Sequence, residues 1–414
     1  MSGTTPKNGS ETPEATSTVS KVTAPKVTAP KITVRRSKPV NWPSDPESAV
    51  VCSLGDVIVS GEWESVADEG RLSTVLADLA AVGADDDLHF GCFETALEAG
   101  AGVIPKEPRG IGRPEVLAEC LASLDFDGVS LANNHAFDGY WEGFEAVRGL
   151  LADAETASFG AGADSRSAAE PWRVERSGIR FGWVAYTALD TTPSHVASSD
   201  GYGVNPLVEE KALAEVARLS REVDHVVVSL HWGGEYFPIP APEAIVFARR
   251  LIDRGARLVV GQHAHVVQGV EVHGHGVIAY NQGSATTTDH VIAGRKAIHQ
   301  SKDARCSFAL RARFDRSALT DVELVPFRTE VGRVLVGDRR ARKLLEQANR
   351  RLAAGISPEE WNRTRMRVAV LGRVLRKLHP SVIGSLRPHH ATRVLGGLAR
   401  AVTGRRGQAS EDGS

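Results

Sequence analysis

Between Asp224 and His265 the chain reads as strand, helix, strand, and each strand closes on imidazoles. DHVVVSLHWGGEY is an apolar run ending in His231, PEAIVFARRLIDRGA has helical spacing, and RLVVGQHAH is a second apolar run ending in His263 and His265. Short continuous apolar runs separated by one helix length are the pattern of a βαβ unit whose strands are buried on both faces. Folds built this way collect ligands at the carboxyl ends of their strands. Singly, each histidine has a plainer reading. His231, beside Trp232 and two glycines, fits a packed core imidazole. For His263 and His265, at the very end of a strand, spacing alone leaves a shared site and a plain turn evenly matched.

Other segments repeat the arrangement. AVVCSLGDVIVSG is a strand with Asp56 at its tip, followed by a helical pattern from Arg71 to Val82. DDDLHFGCFET is a strand with Glu94 at its end, and PEVLAECLASL is a helix with Pro114 in its first turn. FDGVSLANNHAFDGYWEG runs as a strand through Leu131 into the polar cluster Asn133-Asn134-His135, and Tyr140 to Asp153 is helical. IRFGWVAYTAL and HGVIAYNQGSA are further strands, VEEKALAEVARLSREV is a helix, and the region to about Phe327 alternates as extra strands do. Strands alternating with helices predict a layered α/β fold with helices outside. Asp56, Glu94, Asn134-His135, His231 and His263/His265 all fall at strand ends. That coincidence of separate segments outweighs the turn or cap role each would have alone.

The flanks differ in kind. Residues 1–47 are rich in Thr, Ser, Pro and Lys, include the tandem KVTAPKVTAP, and carry too few large apolar groups to offset the entropy of ordering, so they read as a disordered tail. Residues 48–337 form the expected globular domain. Residues 338–406 are basic and helical in pattern, with SPEEW as a helix start, and 407–414 read as a second disordered tail. An apolar stripe interleaved with arginine in the basic extension would suit an anionic membrane surface or polymer; the plainer reading is a helical appendage packed on the core with its arginines solvated.

A net charge of −2 gives no overall pull toward nucleic acid, and 42% hydrophobic with 24% charged residues is the composition of a globular protein. Cys52, Cys92, Cys120 and Cys306 form no CxxC pair, which argues against a disulfide framework or zinc ribbon and for buried free thiols. No secretory apolar region is visible near the start, and no run approaches the roughly 18 apolar residues of a membrane span, so the chain reads as cytoplasmic, with peripheral membrane contact confined to the basic extension.

Two carboxylates, an amide oxygen and several imidazoles are hard-to-borderline donors suited to Mn, Zn or Fe. Two such ions about 3.5–4 Å apart would clamp an oxyanion and activate a water. A histidine beside the amide but outside the donor set could then protonate a leaving group.

The Gly55-Asp56 pair, the Phe93-Glu94 turn, SLANNHAFDGYWEG, SLHWGGEY and GQHAHVVQGVE resemble, in order from about Val50 to about Ser284, the capsule-synthesis CapA family of poly-γ-glutamate synthesis. The resemblance implies a four-layer α/β/β/α sandwich of the calcineurin-like metallophosphoesterase type, here with a C-terminal helical extension. It also implies a hydrolase or transferase holding one or two divalent ions and acting on an anionic polymer or a phosphoester in capsule biosynthesis. It assigns Asp56, Glu94, Asn134, His231, His263 and His265 to the metal and His135 to catalysis. Substrate contact falls to Asn133, Arg109 and Glu235, with Lys106 and Arg113 as further cations of the same loop. Two positions depart from the pattern: Ile58 stands where a phosphoesterase has a histidine two residues after its first Asp, and Asn281-Gln282-Gly283-Ser284 replaces a Ser-Leu-Gly-Asn-like turn. The missing imidazole leaves open an alternative, a non-catalytic assembly factor for polymer synthesis.

Overall fold

The computed structural model describes residues 29–36, 39, 42, 45–83, 86–106, 109–287, 289–292, 295–298 and 300–377 of the chain. The chain first lays down β1 (Lys31–Val34), β2 (Ser48–Val57), β3 (Leu88–Phe93), β4 (Gly128–Ser130) and β5 (Ala157–Phe159). It crosses to a second sheet with β6 (Trp172–Arg176), β7 (Ile179–Thr187), β8 (His225–His231), β9 (Ala256–Gln262), β10 (Val270–His273) and β11 (Gly276–Ala279). It returns through β12 (Ser284–Thr286), β13 (Cys306–Asp315), β14 (Leu319–Glu330) and β15 (Arg333–Val336). The first sheet has nine strands in the order β1-β14-β13-β2-β3-β4-β5, with β12 beside β2 and β15 beside β14; the second has six, ordered β10-β11-β9-β8-β7-β6. β2 through β5 are parallel, as are β7, β8, β9 and β11.

Three apolar cores stack across the molecule. Helices α1 (Glu62–Asp68), α2 (Leu72–Ala80), α3 (Pro114–Leu124) and α4 (Tyr140–Asp153) cover the outer face of the first sheet through Trp63, Leu76, Leu121 and Phe144. Phe90, Phe181, Trp183, Phe308 and Phe314 fill the space between the sheets. Helices α5 (Glu209–Leu219) and α6 (Pro242–Asp253) cover the second sheet through Leu213, Val216 and Leu251. The continuous apolar run of β8 follows from this layering: Val227 faces the other sheet while Val226, Val228 and Leu230 face the helices, so neither side tolerates a polar residue. The four-layer α/β/β/α order implied by the resemblance is the order observed. Cys52, Cys92, Cys120 and Cys306 are buried free thiols.

The N-terminal flank differs from its sequence reading, whereas the first helix of the C-terminal flank follows the plainer of its two readings. The expected disordered tail is strand over Lys31–Val34, which pairs in parallel with β14, while Ile32 and Val34 pack against the inter-sheet core. Four residues of alternating character need no core of their own when a sheet edge supplies their backbone partners. Residues 1–28 of that expectation lie outside the described residues. In the basic extension, α7 (Arg339–Ala353) is capped by Asp338, whose side chain accepts from the Arg340 and Ala341 N–H groups at 2.8 and 3.0 Å. Its apolar stripe is buried, Leu345 in the core between the sheets and Leu352 against the α6 layer, and Asn349 Oδ1 accepts from Val270 N–H at 2.8 Å. The stripe is therefore covered by the domain and unavailable to lipid, which corrects the membrane-facing alternative for this helix. α8 (Pro358–Lys377) starts where SPEEW placed a helix, with Ser357 Oγ accepting from Glu360 N–H at 3.1 Å. Residues 378–414 lie outside the described residues. Among the described residues no helix is long and apolar enough to cross a membrane.

One buried group in the inter-sheet core makes stability depend on pH. His225, 1% exposed, lies between Phe181 and Phe314; its Nε2 bonds Asp315 O at 2.6 Å and its Nδ1 has no partner. Burial lowers its pKa to about 4. The folded state thus holds the ring neutral while the unfolded chain protonates near pH 6.5, so the stabilisation is complete above pH 6.5 and is lost as pH falls toward 4. The expected loss is about 3 kcal/mol. His225→Gln keeps a donor for Asp315 O but cannot titrate; urea midpoints at pH 7.5 and 4.5 should show a smaller acid loss in the variant than in the parent.

Candidate metal centre

Each element ends where its functional side chain is needed. β2 runs so close to the 281–284 turn that a Cβ on Gly55 would lie 1.8 Å from Gly283 O, which explains the glycine before Asp56. Asp56 N–H donates to Gly283 O at 3.2 Å, fixing the next side chain to point along the strand end. β9 stops at Gln262, and both His263 (φ 85°) and His265 (φ 54°) are left-handed. The chain has left the strand here, and the two rings lie 5.9 Å apart, centroid to centroid.

The side chains meet at the carboxyl ends of both sheets. Asp56, Glu94 and Asn134 come from the first sheet, and His231, His263 and His265 from the second. Asp56 Oδ2 accepts from His263 N–H at 2.9 Å and lies 3.3 Å from His265 Nδ1; its Oδ1 has no hydrogen-bond partner. Glu94 has no partner for either carboxylate oxygen, and its Oε1 is 3.5 Å from His231 Nε2 and 3.9 Å from His135 Nε2. His231 Nε2 is also 2.7 Å from Asn134 Oδ1 and 3.1 Å from His263 Nδ1. Donor atoms of Glu94, His231 and His263 lie within 4.8 Å of one another, and so do those of Asp56, Glu94 and His265.

The electrostatics follow from burial. Burial, and then the adjacent Asp56 carboxylate, push the Glu94 carboxyl well above the usual carboxylate range. Burial, with neighbouring imidazoles, holds His231 and His263 well below the usual histidine range. For His265, burial opposes protonation but is outweighed by Glu94 and Asp56, which raise it to about 9. The cluster thus contains neutral imidazole donors beside carboxylates that need a positive charge.

Asp138, Cys92 and Ser284, which the sequence reading did not assign to the site, support this set. His135 Nδ1 pairs with Asp138 Oδ2 at 2.6 Å, and Asp138 Oδ2 also accepts from Gly110 N–H at 2.9 Å. Lys106 Nζ donates to Asn134 O at 2.7 Å and lies 3.5 Å from Asp138 Oδ1. Burial opposes ionisation of Asp138, but His135, Lys106 and the Gly110 amide hold its pKa below the usual carboxylate range. The signal was present: Asp138 follows His135 by three residues in NNHAFD. Cys92 Sγ, 3.7 Å from His231 Nδ1, and Ser284 Oγ, 2.9 Å from His265 Nδ1, had no such signal.

Other expected residues separate. Asn133, expected at substrate, is 1% exposed; its Oδ1 accepts from His135 N–H at 3.0 Å and its Nδ2 donates to Phe93 O at 2.9 Å, so it braces the loop from behind. Arg113 pairs with Asp68 at 2.6 Å and does not line the small cavity over the cluster. Lys106 faces Asn134 and Asp138. Arg109 and Glu235 line the small cavity over the cluster together with Glu94, His135 and His265. Ile58 lines it too, its N–H donating to Thr286 Oγ1 at 2.8 Å.

Residues 50–287 match the family described as bacterial capsule synthesis protein PGA_cap. The PGA biosynthesis protein CapA of Bacillus subtilis is 29% identical over 165 residues, 40% of this chain and 43% of that protein. The capsule biosynthesis protein CapA of Bacillus anthracis is 28% identical over 174 residues, 41% of this chain and 42% of that protein. The chain thus spans less than half the length of these relatives. A crystal structure of a hypothetical protein from Thermus thermophilus aligns with a TM-score of 0.43 at 17% identity, covering 68% of this chain and all of that one.

Gly55→Ala tests the close approach that sets Asp56. Its Cβ would meet backbone rather than a movable side chain, and overpacking of this kind costs about 1–3 kcal/mol. The urea unfolding midpoint should fall accordingly, whereas Gly149→Ala, with nothing within 4 Å of its Cβ, should leave the midpoint unchanged or raise it.

Proposed function

The chain belongs to the bacterial capsule synthesis protein family PGA_cap, and on that footing we propose that it is a metal-dependent hydrolase or transferase acting on an anionic polymer of the poly-γ-glutamate kind or on a phosphoester. One observation carries the proposal. Asp56 and Glu94 are fully buried side by side, and three of their four carboxylate oxygens have no hydrogen-bond donor. Buried carboxylates left without compensation are costly, and a cation among imidazole donors supplies that compensation.

The donor set fits Mn, Zn or Fe. Asp56, Glu94, Asn134, His231, His263 and His265 would hold one or two ions. When bound, such ions polarise a substrate oxygen and lower the pKa of a water. The remaining steps belong to the chain's own side chains. Asp138 holds the His135 ring through Nδ1, leaving Nε2 directed into the cavity toward Glu94. From there His135 is placed to pass a proton to a leaving group or to stabilise charge on it. Arg109, on the same cavity wall, offers a guanidinium suited to a carboxylate or phosphate. The layers of both sheets close the cluster from below, which keeps bulk water from its buried side.

Ile58 favours a second reading, an assembly factor of the same fold with little chemistry, because its alkyl side chain occupies the cavity wall where a ligand is expected. Metal content separates the two. Purified full-length chain reconstituted with Mn, Zn or Fe should hold at least one ion per chain by elemental analysis, and Asp56→Asn should lower that content. In a hydrolysis screen over phosphoesters and γ-glutamyl amides, His135→Ala should keep its metal and lose turnover by about 10²–10⁴-fold. A chain that retains no stoichiometric ion would remove the enzymatic reading and leave the assembly factor.

A further inference from the structure

The two donor sets of the cluster are unequal. Glu94, Asn134, His231 and His263 offer four side chains on one side, with His231 Nε2 within 3.5 Å of an atom of each of the others. The other side has three: Asp56, Glu94 and His265. Nothing from β2 completes it, since Ile58 brings an alkyl group to that wall. The two sides share the buried oxygens without partners: Asp56 Oδ1, 3.8 Å from His231 Nδ1, and both oxygens of Glu94, which faces the same cavity as Ile58.

One other carboxylate reaches this region. Glu235 places an oxygen within 4.8 Å of ring nitrogens of both His263 and His265. Its position is built by the backbone. The loop after β8 doubles back through Gly233 (φ 83°) and Tyr236 (φ 64°), and Phe237 N–H donates to Gly234 O at 3.2 Å. Tyr236 N–H then donates to Ala264 O at 2.7 Å, the carbonyl between the two histidines, and the Tyr236 ring lies 6.1 Å from the His265 ring, centroid to centroid. This hydrogen bond locks residue 235 against the histidine turn, whereas a solvated rim charge would need no such anchor. An exposed carboxylate on the open side also leaves room for the non-protein position that a catalytic metal keeps.

We propose that Glu235 is a metal ligand, supplying to the Asp56–Glu94–His265 position the donor that Ile58 does not. The inference rests on the metal-dependent reading above and adds that the chain holds two ions, the second of them through the loop after β8.

Metal stoichiometry and affinity test it without reference to turnover. Full-length parent and Glu235→Ala chains, stripped with a chelator, would be titrated calorimetrically with Mn²⁺ and with Zn²⁺. The parent is expected to bind two ions. Glu235→Ala should keep one and bind the second more than about tenfold more weakly. Its melting temperature in chelator should equal the parent's, because the residue is exposed. Ile58→His introduced into the Glu235→Ala chain should return the second ion. Unchanged stoichiometry and affinity in Glu235→Ala would overturn the assignment while leaving the metal-dependent reading intact. A parent chain that binds no metal would overturn both together.

Discussion

Two carboxylates that water would keep ionised stand together inside this protein with almost nothing to answer their charge. Asp56 and Glu94 are 0% exposed, and only one of their four oxygens receives a hydrogen bond. A folded chain accepts such a pair only when something else offsets it. The surroundings are arranged to that end. His265 is biased toward its charged form by those carboxylates, whereas His231 and His263 are held neutral as donors. Asn134 adds an oxygen without adding charge. The packing of sheet against sheet serves this meeting, because half of the cluster arrives on each.

That division explains what the amino-acid sequence could and could not disclose. Strand ends are legible because a polar residue interrupts an apolar run at Asp56 and ends one at Glu94 and His231, and the layer order follows from strands that are apolar on both faces. The His263/His265 pair was ambiguous on spacing alone; two left-handed residues resolve it, and no residue-type signal marks left-handed histidines. Asn133 was indistinguishable from Asn134 by type, and only the fold shows that its amide is occupied by His135 N–H and Phe93 O. Cys92 reads as one more apolar position in its strand. Its proximity to His231 depends on how two sheets face each other, and local sequence does not encode that.

The flanks teach a related lesson. Composition reports whether a segment can build a core of its own, but it is blind to edges that another element offers. KITV becomes a strand because β14 has an open edge, and the arginine-rich α7 is ordered because four small or aliphatic side chains find a seam between layers. Charge density on the exposed side of α7 is then the ordinary solvated face of a packed helix, and not by itself evidence of an anionic partner.

β13 pairs with β2 along the length that leads to Asp56, and β14 lies beyond it. Both strands fall after residue 287, where the family match ends. The homologous segment and the cooperative folding unit are therefore different objects. Excising residues 50–287 would retain every candidate ligand yet strip the neighbour from the strand that positions the first of them, baring an apolar edge primed for intermolecular pairing.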